Sequence, residues 1–397
     1  MTASLETFDA VVVGGGPAGA TAAADLARCG RSVMLLDRAG RIKPCGGAIP
    51  PRLIQEFAIP ERLLVARAKA ARIVAPSNRQ VDMPIDGGFV GMVDREVFDE
   101  WLRERASSAG AERRTGLFKR LDCDTGETAI IEYQPKDGSA LTRVRARAVI
   151  GADGALSAVA RQAIPHADQM PYVFAYHEIV RSPRHNNTGF DGARCDVYYQ
   201  GELSPDFYGW IFPHGDTTSV GVGSAHKGFS LRKAVGALRD VAELADAETI
   251  RCEGAPIPLH PLRRWDNGRN VVLAGDAAGV VAPASGEGIF YAMTGGRLAA
   301  AAVDEFCESR DVRALRGARK GFMRTHGGVF WILGLMQNYW YSSDRRRERF
   351  VSICRDRDVQ QLTWDAYMNK ELVRAKPLAH MRIFFKNIAH LTGIVST

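Results

Sequence analysis

The chain has 397 residues, of which 46% are hydrophobic and 24% charged, an ordinary balance for a soluble globular protein with one large or two interleaved domains. No apolar run reaches the roughly 18–20 residues of a membrane-spanning helix, and the seven cysteines show neither a CxxC pair nor a His/Cys cluster at metal spacing, which fits a reducing cytoplasm and argues against a disulfide framework or a metal site. The net charge of +7 is concentrated in the tail: residues 311–397 carry +9 and residues 1–310 carry −2. Such a basic end reads either as solvated helix faces or as attraction to an anionic membrane surface or substrate. No recognised nucleic-acid module accompanies it, so nucleic acid is not expected as a partner. The N-terminus "MTASLETFDAVVVGGG" lacks a basic region followed by an apolar one, so no signal peptide is expected.

The first element is "FDAVVVGGGPAGATAAADLARCGRSVMLLDR", Phe8 to Arg38. Ala10–Val13 reads as a parallel strand buried on both faces. Gly14, Gly16 and Gly19 complete G-x-G-x-x-G: the first permits the tight turn, the second lets backbone approach a pyrophosphate, and the third lets helix and strand pack closely. From Ala18 to Arg28 the alanine-rich sequence predicts a helix whose N-terminus points partial positive charge at a phosphate. Ser32–Leu36 is the second strand. It ends in Asp37, where a carboxylate accepts hydrogen bonds from a ribose. Strand, helix, strand and terminal acid in register make a dinucleotide site. Arg38 beside the acid favours a 2′-phosphate, so on these residues alone the dinucleotide is either FAD or NADPH.

"KPCGGAIP", Lys43 to Pro50, places Cys45 against Gly46 and Gly47 and stiffens the exit with proline. "VDREVFDEWL", Val93 to Leu102, starts a helix that carries Arg95. "ARAVIGADGALSAVAR", Ala146 to Arg161, is a strand leading into Asp153 and Gly154 and then a short helix. Residues 71–92 and about 165–260 read as strands of an antiparallel sheet, within which Tyr208, Trp210 and Phe212 of "YGWIFP" alternate and so share one face. "NVVLAGDAAGVVAPASGEGIFYAMTGGRLAA", Asn270 to Ala300, repeats the strand-turn-helix scheme with Gly275, Asp276, Gly286 and Gly288, Ile289 opening a long small-residue helix.

The three glycine-aspartate stations in this order resemble flavoproteins of the para-hydroxybenzoate hydroxylase fold group over about residues 8–310. The resemblance implies a mixed α/β fold: a Rossmann-type FAD-binding domain interleaved with an antiparallel-sheet substrate domain, followed by a helical basic C-terminal region. The expected division is 1–70, 93–164 and 265–310 for FAD, 71–92 and 165–264 for substrate, and 311–397 for the tail. By this likeness Gly14, Gly16, Ala18 and Gly19 hold the ADP half of FAD, with Asp37 and Arg38 at the ribose. Arg95, Asp153, Gly154 and Gly275 line the cofactor, Asp276 binds the ribityl chain, and the helix after Gly286, Gly288 and Ile289 aims its N-terminus at the flavin, where it stabilises negative charge. FAD is then the resident dinucleotide. With no second full G-x-G-x-x-G, a nicotinamide donor binds only transiently.

"KPCGGAIP", "YGWIFP" and "GDAAGVVAPASGEGI" together look like the geranylgeranyl reductases, which reduce the geranylgeranyl tail of chlorophyll, bacteriochlorophyll or the free diphosphate to phytyl. That likeness implies that Gly46 and Gly47 let backbone approach the flavin ring without Cβ clashes and that Cys45 faces the reacting side. It also makes NADPH the expected reductant. An isolated prenyl C=C has no electron-withdrawing neighbour, so its reduction calls for proton addition to one carbon and hydride to the other. Tyr208, Trp210 and Phe212 are the expected walls of the substrate site, because aromatic faces attract a developing cation by roughly 0.5–2 kcal/mol. Cys45, Tyr208 or a bound water supplies the proton. Two competing readings accompany this one: a flavin-dependent aromatic monooxygenase of the same fold, and a prenyl carrier without redox chemistry.

In the tail, "GGVFWILGLMQNYWYSSDRRRERF" (Gly327–Phe350) joins an apolar stretch of about 15 residues to an arginine cluster, and "KPLAHMRIFFKNIAHLTGIV" (Lys376–Val395) mixes basic and bulky apolar residues at helical spacing. Both are too short or too charged to span a bilayer. They read as helices packed on the core, as a roof over a long lipid cavity, or as segments lying on a membrane surface. The expected setting is therefore cytoplasmic, with peripheral contact to a photosynthetic membrane where a prenylated pigment resides.

Overall fold

The computed structural model describes residues 5–38, 42–122, 128–183 and 189–370, and the chain divides into two units: Met1–Lys43, Arg95–Tyr172 and Pro256–Phe330 form the first, and Pro44–Asp94, Val173–Ala255 and Trp331–Thr397 the second.

The first unit is built on the apolar run after Phe8. The strand Thr7–Val13 lies between Val33–Asp37 and the end of Thr142–Gly151, both parallel to it. Val271–Leu273 and the start of Glu112–Asp122 extend the parallel sheet on either side. Val11, Val12, Leu35, Ile150 and Val272 are fully buried, as expected for central strands covered on both faces. Past Thr115 the strand Glu112–Asp122 continues within the same six-stranded sheet, pairing antiparallel with Ala129–Pro135, which in turn pairs antiparallel with the beginning of Thr142–Gly151. The second strand starts at Val33 and includes Asp37, one residue later than the sequence reading. Helix Pro17–Arg28 packs against both Arg95–Ser108 and Ile289–Ser309. Its alanines allow close approach: a Cβ on Gly296 would lie 2.2 Å from the carbonyl oxygen of Ala18.

The second unit contains a seven-stranded sheet in the order Thr249–Pro258, Tyr172–Arg181, Thr217–Ser224, Gly209–His214, Arg194–Tyr198, Ala70–Val74, Gln80–Pro84. Among the registered pairs all are antiparallel except Arg194–Tyr198 with Ala70–Val74. Helix Leu231–Val241 interrupts the stretch read as continuous strand. Its apolar side, Ala234, Val235 and Leu238, packs on Val180, Ile211, Val220 and Val222, and this i, i+1, i+4 spacing is the helical period. A three-stranded sheet joins Ala48–Ile49, Val90–Val93 and Leu64–Ala68.

The described part of the C-terminal region is helical. Arg316–Trp340 is followed by Asp344–Ile353 and Arg357–Asn369, while Lys376–Val395 lies outside the described residues. No helix among the described residues is long and apolar enough to cross a membrane.

Candidate functional site

The first glycine station is a cradle with one closed and one open side. Gly14 has φ +109°, and a Cβ there would lie 2.3 Å from the oxygen of Ala152, so only glycine fits that turn. Gly19 is equally enclosed, its Cβ position lying 1.8 Å from the oxygen of Gly14. Gly16 differs. It is extended, and a Cβ on it would meet no described atom within 4 Å. Helix Pro17–Arg28 starts directly after it, and among the described residues no side chain caps that start. Its first free N–H groups, including those of Ala18 and Gly19, are therefore presented without a side-chain acceptor. Asp37 stands beside this end, accepting the N–H of Gly15 at 3.3 Å, whereas Arg38 is exposed.

The sequence pattern gives no sign of the role of Arg103. Its guanidinium donates to the oxygen of Gly15 at 3.2 Å and lies 3.6 Å from the Asp37 carboxylate. Glu100 holds Arg103 at 2.7 Å and Arg113 at 2.9 Å. These hydrogen bonds, led by that of Arg113, lower the Glu100 carboxyl to about 2. Arg95, on the same helix, is 4% exposed and forms a two-point ion pair with Asp99 at 2.8 and 2.6 Å. Its charge is thus directed into the helix's own buried face.

At the second station Asp153 serves the adjoining helix. It accepts from the Ser157 hydroxyl at 2.5 Å and from the N–H groups of Ala158 and Val159 at 2.6 and 3.2 Å, while Ser157 accepts the N–H of Ala160 at 2.8 Å. Burial raises the Asp153 carboxyl against these hydrogen bonds, which favour its ionised form. Gly154 has φ +90° and space at its Cβ position, with no described atom within 4 Å.

The third station is a turn of short bonds. Gly275, at φ +63°, packs on Ala18, whose Cβ lies 2.7 Å from where a Cβ of Gly275 would be. Asp276 is 6% exposed and ion-paired to Lys43, a second unanticipated site residue. Gly286 donates to the oxygen of Ala282 at 3.0 Å with φ +65°, and Gly288 starts the 21-residue helix that opens with Ile289, again without a side-chain cap among the described residues.

In the second unit the Cys-Gly-Gly segment folds against the end of the "YGWIFP" strand. A Cβ on Gly46 would lie 2.8 Å from the Phe212 ring. Gly47, at φ +69°, would bring one to 2.5 Å from the oxygen of Val93 and 2.6 Å from Nε2 of His214. Val93 donates its N–H to Gly47 at 2.9 Å, and the Cys45 sulfur accepts the Gly47 N–H at 3.4 Å. Packing inside this unit thus already requires both glycines. His214 is held by the oxygen of Phe212 at 3.0 Å, and burial lowers its ionisation. From Phe207 a row of rings follows the strand: Phe207 stacks on Tyr208 at 4.2 Å, Tyr208 meets Trp210 at 6.0 Å edge-on, and Trp210 lies 6.4 Å from Phe212. Tyr208 and Trp210 are 8% and 6% exposed.

The first unit fits a flavin dinucleotide. Its glycine turn leaves open space at Gly16 before an uncapped helix, a carboxylate stands at the end of the next strand, and a second uncapped helix begins at Ile289. These are the features of an FAD-binding flavoprotein, and a family model described as an FAD-binding domain matches residues 7–172. The chain is 57% identical to the geranylgeranyl diphosphate reductase of Rhodobacter capsulatus over 388 residues, 98% of each chain. It is 35% identical to the enzyme of that name from Synechocystis, covering 96% of this chain and 97% of the relative. The crystal structure of a geranylgeranyl bacteriochlorophyll reductase-like protein from Thermoplasma acidophilum shares the fold, with a TM-score of 0.82 and 23% identity over 95% of this chain and all of that one. The chain belongs to the geranylgeranyl reductase family.

Proposed function

We propose that this chain is an FAD-dependent, NADPH-driven geranylgeranyl reductase, saturating prenyl C=C bonds of geranylgeranyl diphosphate, of a geranylgeranylated chlorophyll or bacteriochlorophyll, or of both. The observation that carries this reading is the 57% identity, across 98% of both chains, to a relative named for reduction of geranylgeranyl diphosphate. When bound, FAD supplies hydride from its reduced ring at N5, recharged by transiently bound NADPH.

The chain's own residues do the rest. Gly14, Gly16, Ala18 and Gly19 hold the pyrophosphate on the first helix start, Asp37 the ribose, and Asp276, positioned by Lys43, the ribityl chain. Gly154, Gly275, Gly286, Gly288 and Ile289 bring backbone to the cofactor. Asp153 shapes its loop through the cap of helix Ala158–Ala163, and Arg95 acts from within its ion pair. Arg38 remains a ribose-side candidate. Tyr208, Trp210 and Phe212 offer electron-rich faces to an isoprenoid and to positive charge gathering on its tertiary carbon. They also exclude water, which strengthens that attraction. Cys45, Tyr208 or a water held by them delivers the proton, and Gly46 and Gly47 set the backbone around Cys45.

Substrate choice is tested by giving the FAD-loaded protein and NADPH both the free diphosphate and the pigment ester and weighing the products. Gain of hydrogen pairs by either supports the reading, and two unaltered substrates contradict it.

Peripheral membrane contact belongs to the same proposal. Trp331 and Leu335, one turn apart on Arg316–Trp340, are 67% and 50% exposed, and Arg345 is exposed in the next helix. Flotation of the protein with anionic but not neutral liposomes is expected, and protein left at the bottom of both gradients would remove this part.

A further inference from the structure

We infer that Ser219, His177 and Glu253 are positioning residues that fix the indole of Trp210 and thereby the wall it presents to the prenyl chain. The inference rests on the reading of Trp210 given above. The four side chains come from four neighbouring strands of the seven-stranded sheet. Trp210 Nε1–H donates to Ser219 Oγ at 3.1 Å, Ser219 Oγ lies 2.9 Å from His177 Nδ1, and His177 Nε2 lies 3.0 Å from Glu253 Oε2. An indole only donates and a carboxylate only accepts. The order that satisfies every member therefore runs one way: the indole N–H to the serine oxygen, the serine hydroxyl to Nδ1, and Nε2–H to Glu253.

The sheet is cut to admit this array. Gly221 stands directly opposite both His177 and Trp210 in the two flanking pairings. A Cβ on it would lie 2.2 Å from the indole and 2.6 Å from Cβ of His177. Ser219 is fully buried and His177 is 3% exposed. A polar chain at such depth is costly unless completely paired, and an apolar side chain at 177 would fill the same space without that cost. What the polar version adds is an acceptor at a fixed point for the indole N–H, which selects one orientation of the ring. The array continues to the Cys-Gly-Gly segment. Arg251 lies 3.3 Å from Glu253 and 3.8 Å from Asp94, and the neighbouring Val93 binds Gly47. A buried array around Trp210 thus continues through partly exposed ion pairs to the supports of the Cys45 loop, and a wall held in this way favours a single docking of the double bond.

The test is a set of double-mutant cycles on the FAD-loaded protein with geranylgeranyl diphosphate. Ser219→Ala and His177→Ala are each expected to lower kcat/KM about fivefold, the worth of one neutral hydrogen bond. In a Trp210→Phe background, where the acceptor has nothing to orient, each should cost less than about twofold. The indole N–H resonance of Trp210, identified by its loss in Trp210→Phe, should move in both single variants and stay near its original position in His177→Gln, whose amide can replace both ring nitrogens. Should His177→Ala fail to fold, Ser219→Ala removes a single oxygen and reads the same link. Equal losses in both backgrounds, or an unmoved resonance, would overturn the inference. A Trp210→Phe enzyme of undiminished kcat/KM would instead remove Trp210 from the prenyl site and this inference with it, whatever the resonance does.

Discussion

Replacing Gly16 with alanine separates the fold from cofactor binding. Gly16 lies at φ −76°, ψ −174°, where any residue is at ease, and its Cβ would meet no described atom within 4 Å. Gly16 is also the N-cap of the helix, where alanine is less favourable than glycine. A less flexible unfolded chain offsets this by about 0.4–1 kcal/mol, so the cofactor-free protein should keep its stability to within about 1 kcal/mol. If this open space holds the pyrophosphate, a methyl group pushes the phosphate off the helix start and weakens one or two charge-assisted hydrogen bonds worth about 1.5–3 kcal/mol each. FAD affinity should then fall at least about tenfold. Gly14→Ala is the contrast: at φ +109°, with Ala152 oxygen 2.3 Å from the new methyl, it should destabilise the cofactor-free fold by about 1–3 kcal/mol or more. Quenching of flavin fluorescence gives the affinity, and thermal denaturation of the cofactor-free protein gives the stability. Wild-type FAD affinity in Gly16→Ala would refute the placement of the pyrophosphate.

Three further substitutions probe other links. Lys43→Met leaves the carboxylate of Asp276, 6% exposed, without its cation, and should cost about 1–2 kcal/mol of stability in denaturant titration, moderated by the exposure of the lysine, together with weaker FAD retention. Cys45→Ala should keep FAD bound and slow prenyl reduction, so turnover equal to wild type would remove Cys45 from the mechanism. Glu100 ionises at about 2 in the fold and at 4.5 ordinarily, chiefly through its hydrogen bond from Arg113. Its contribution is thus complete above about pH 4.5 and disappears as pH falls toward 2. The stability advantage of wild type over Glu100→Gln should shrink across that window, and an advantage that is independent of pH would contradict the clamp on Arg103 and Arg113.

The parts of this molecule written in local sequence were legible. The apolar run before Gly14, the alanine-rich helix after it and the acid at Asp37 each follow from backbone sterics over a few residues, and the structure assembles them as read. Trp210 and Phe212 could be placed on one face because a strand alternates. What escaped depends on contacts between distant segments. Lys43 meets Asp276 across 233 residues and Arg103 reaches Gly15 across 88. Nothing near either residue signals the pairing, although Lys43 stands at the head of the conspicuous Cys-Gly-Gly segment. Gly46 and Gly47 are legible as positions of close approach, and the neighbours within their own unit are Phe212, His214 and Val93. The helix-capping bonds of Asp153 to Ser157, Ala158 and Val159 are less legible than its place in the second station. The serine opening that helix, four residues on, was the available clue. Helix Leu231–Val241 is hard to see in the sequence because its apolar side spans only Ala234, Val235 and Leu238 between long alternating strands.

The most direct test of the central claim is a single turnover without oxygen. The protein is loaded with FAD, reduced until its yellow colour is lost, and mixed with geranylgeranyl diphosphate or the geranylgeranylated pigment. The account predicts that the yellow absorbance returns as the substrate is consumed, with each prenyl product gaining one pair of hydrogens for every flavin reoxidised. A flavin that stays reduced beside unchanged substrates, or a protein that takes up no FAD at all, would contradict it.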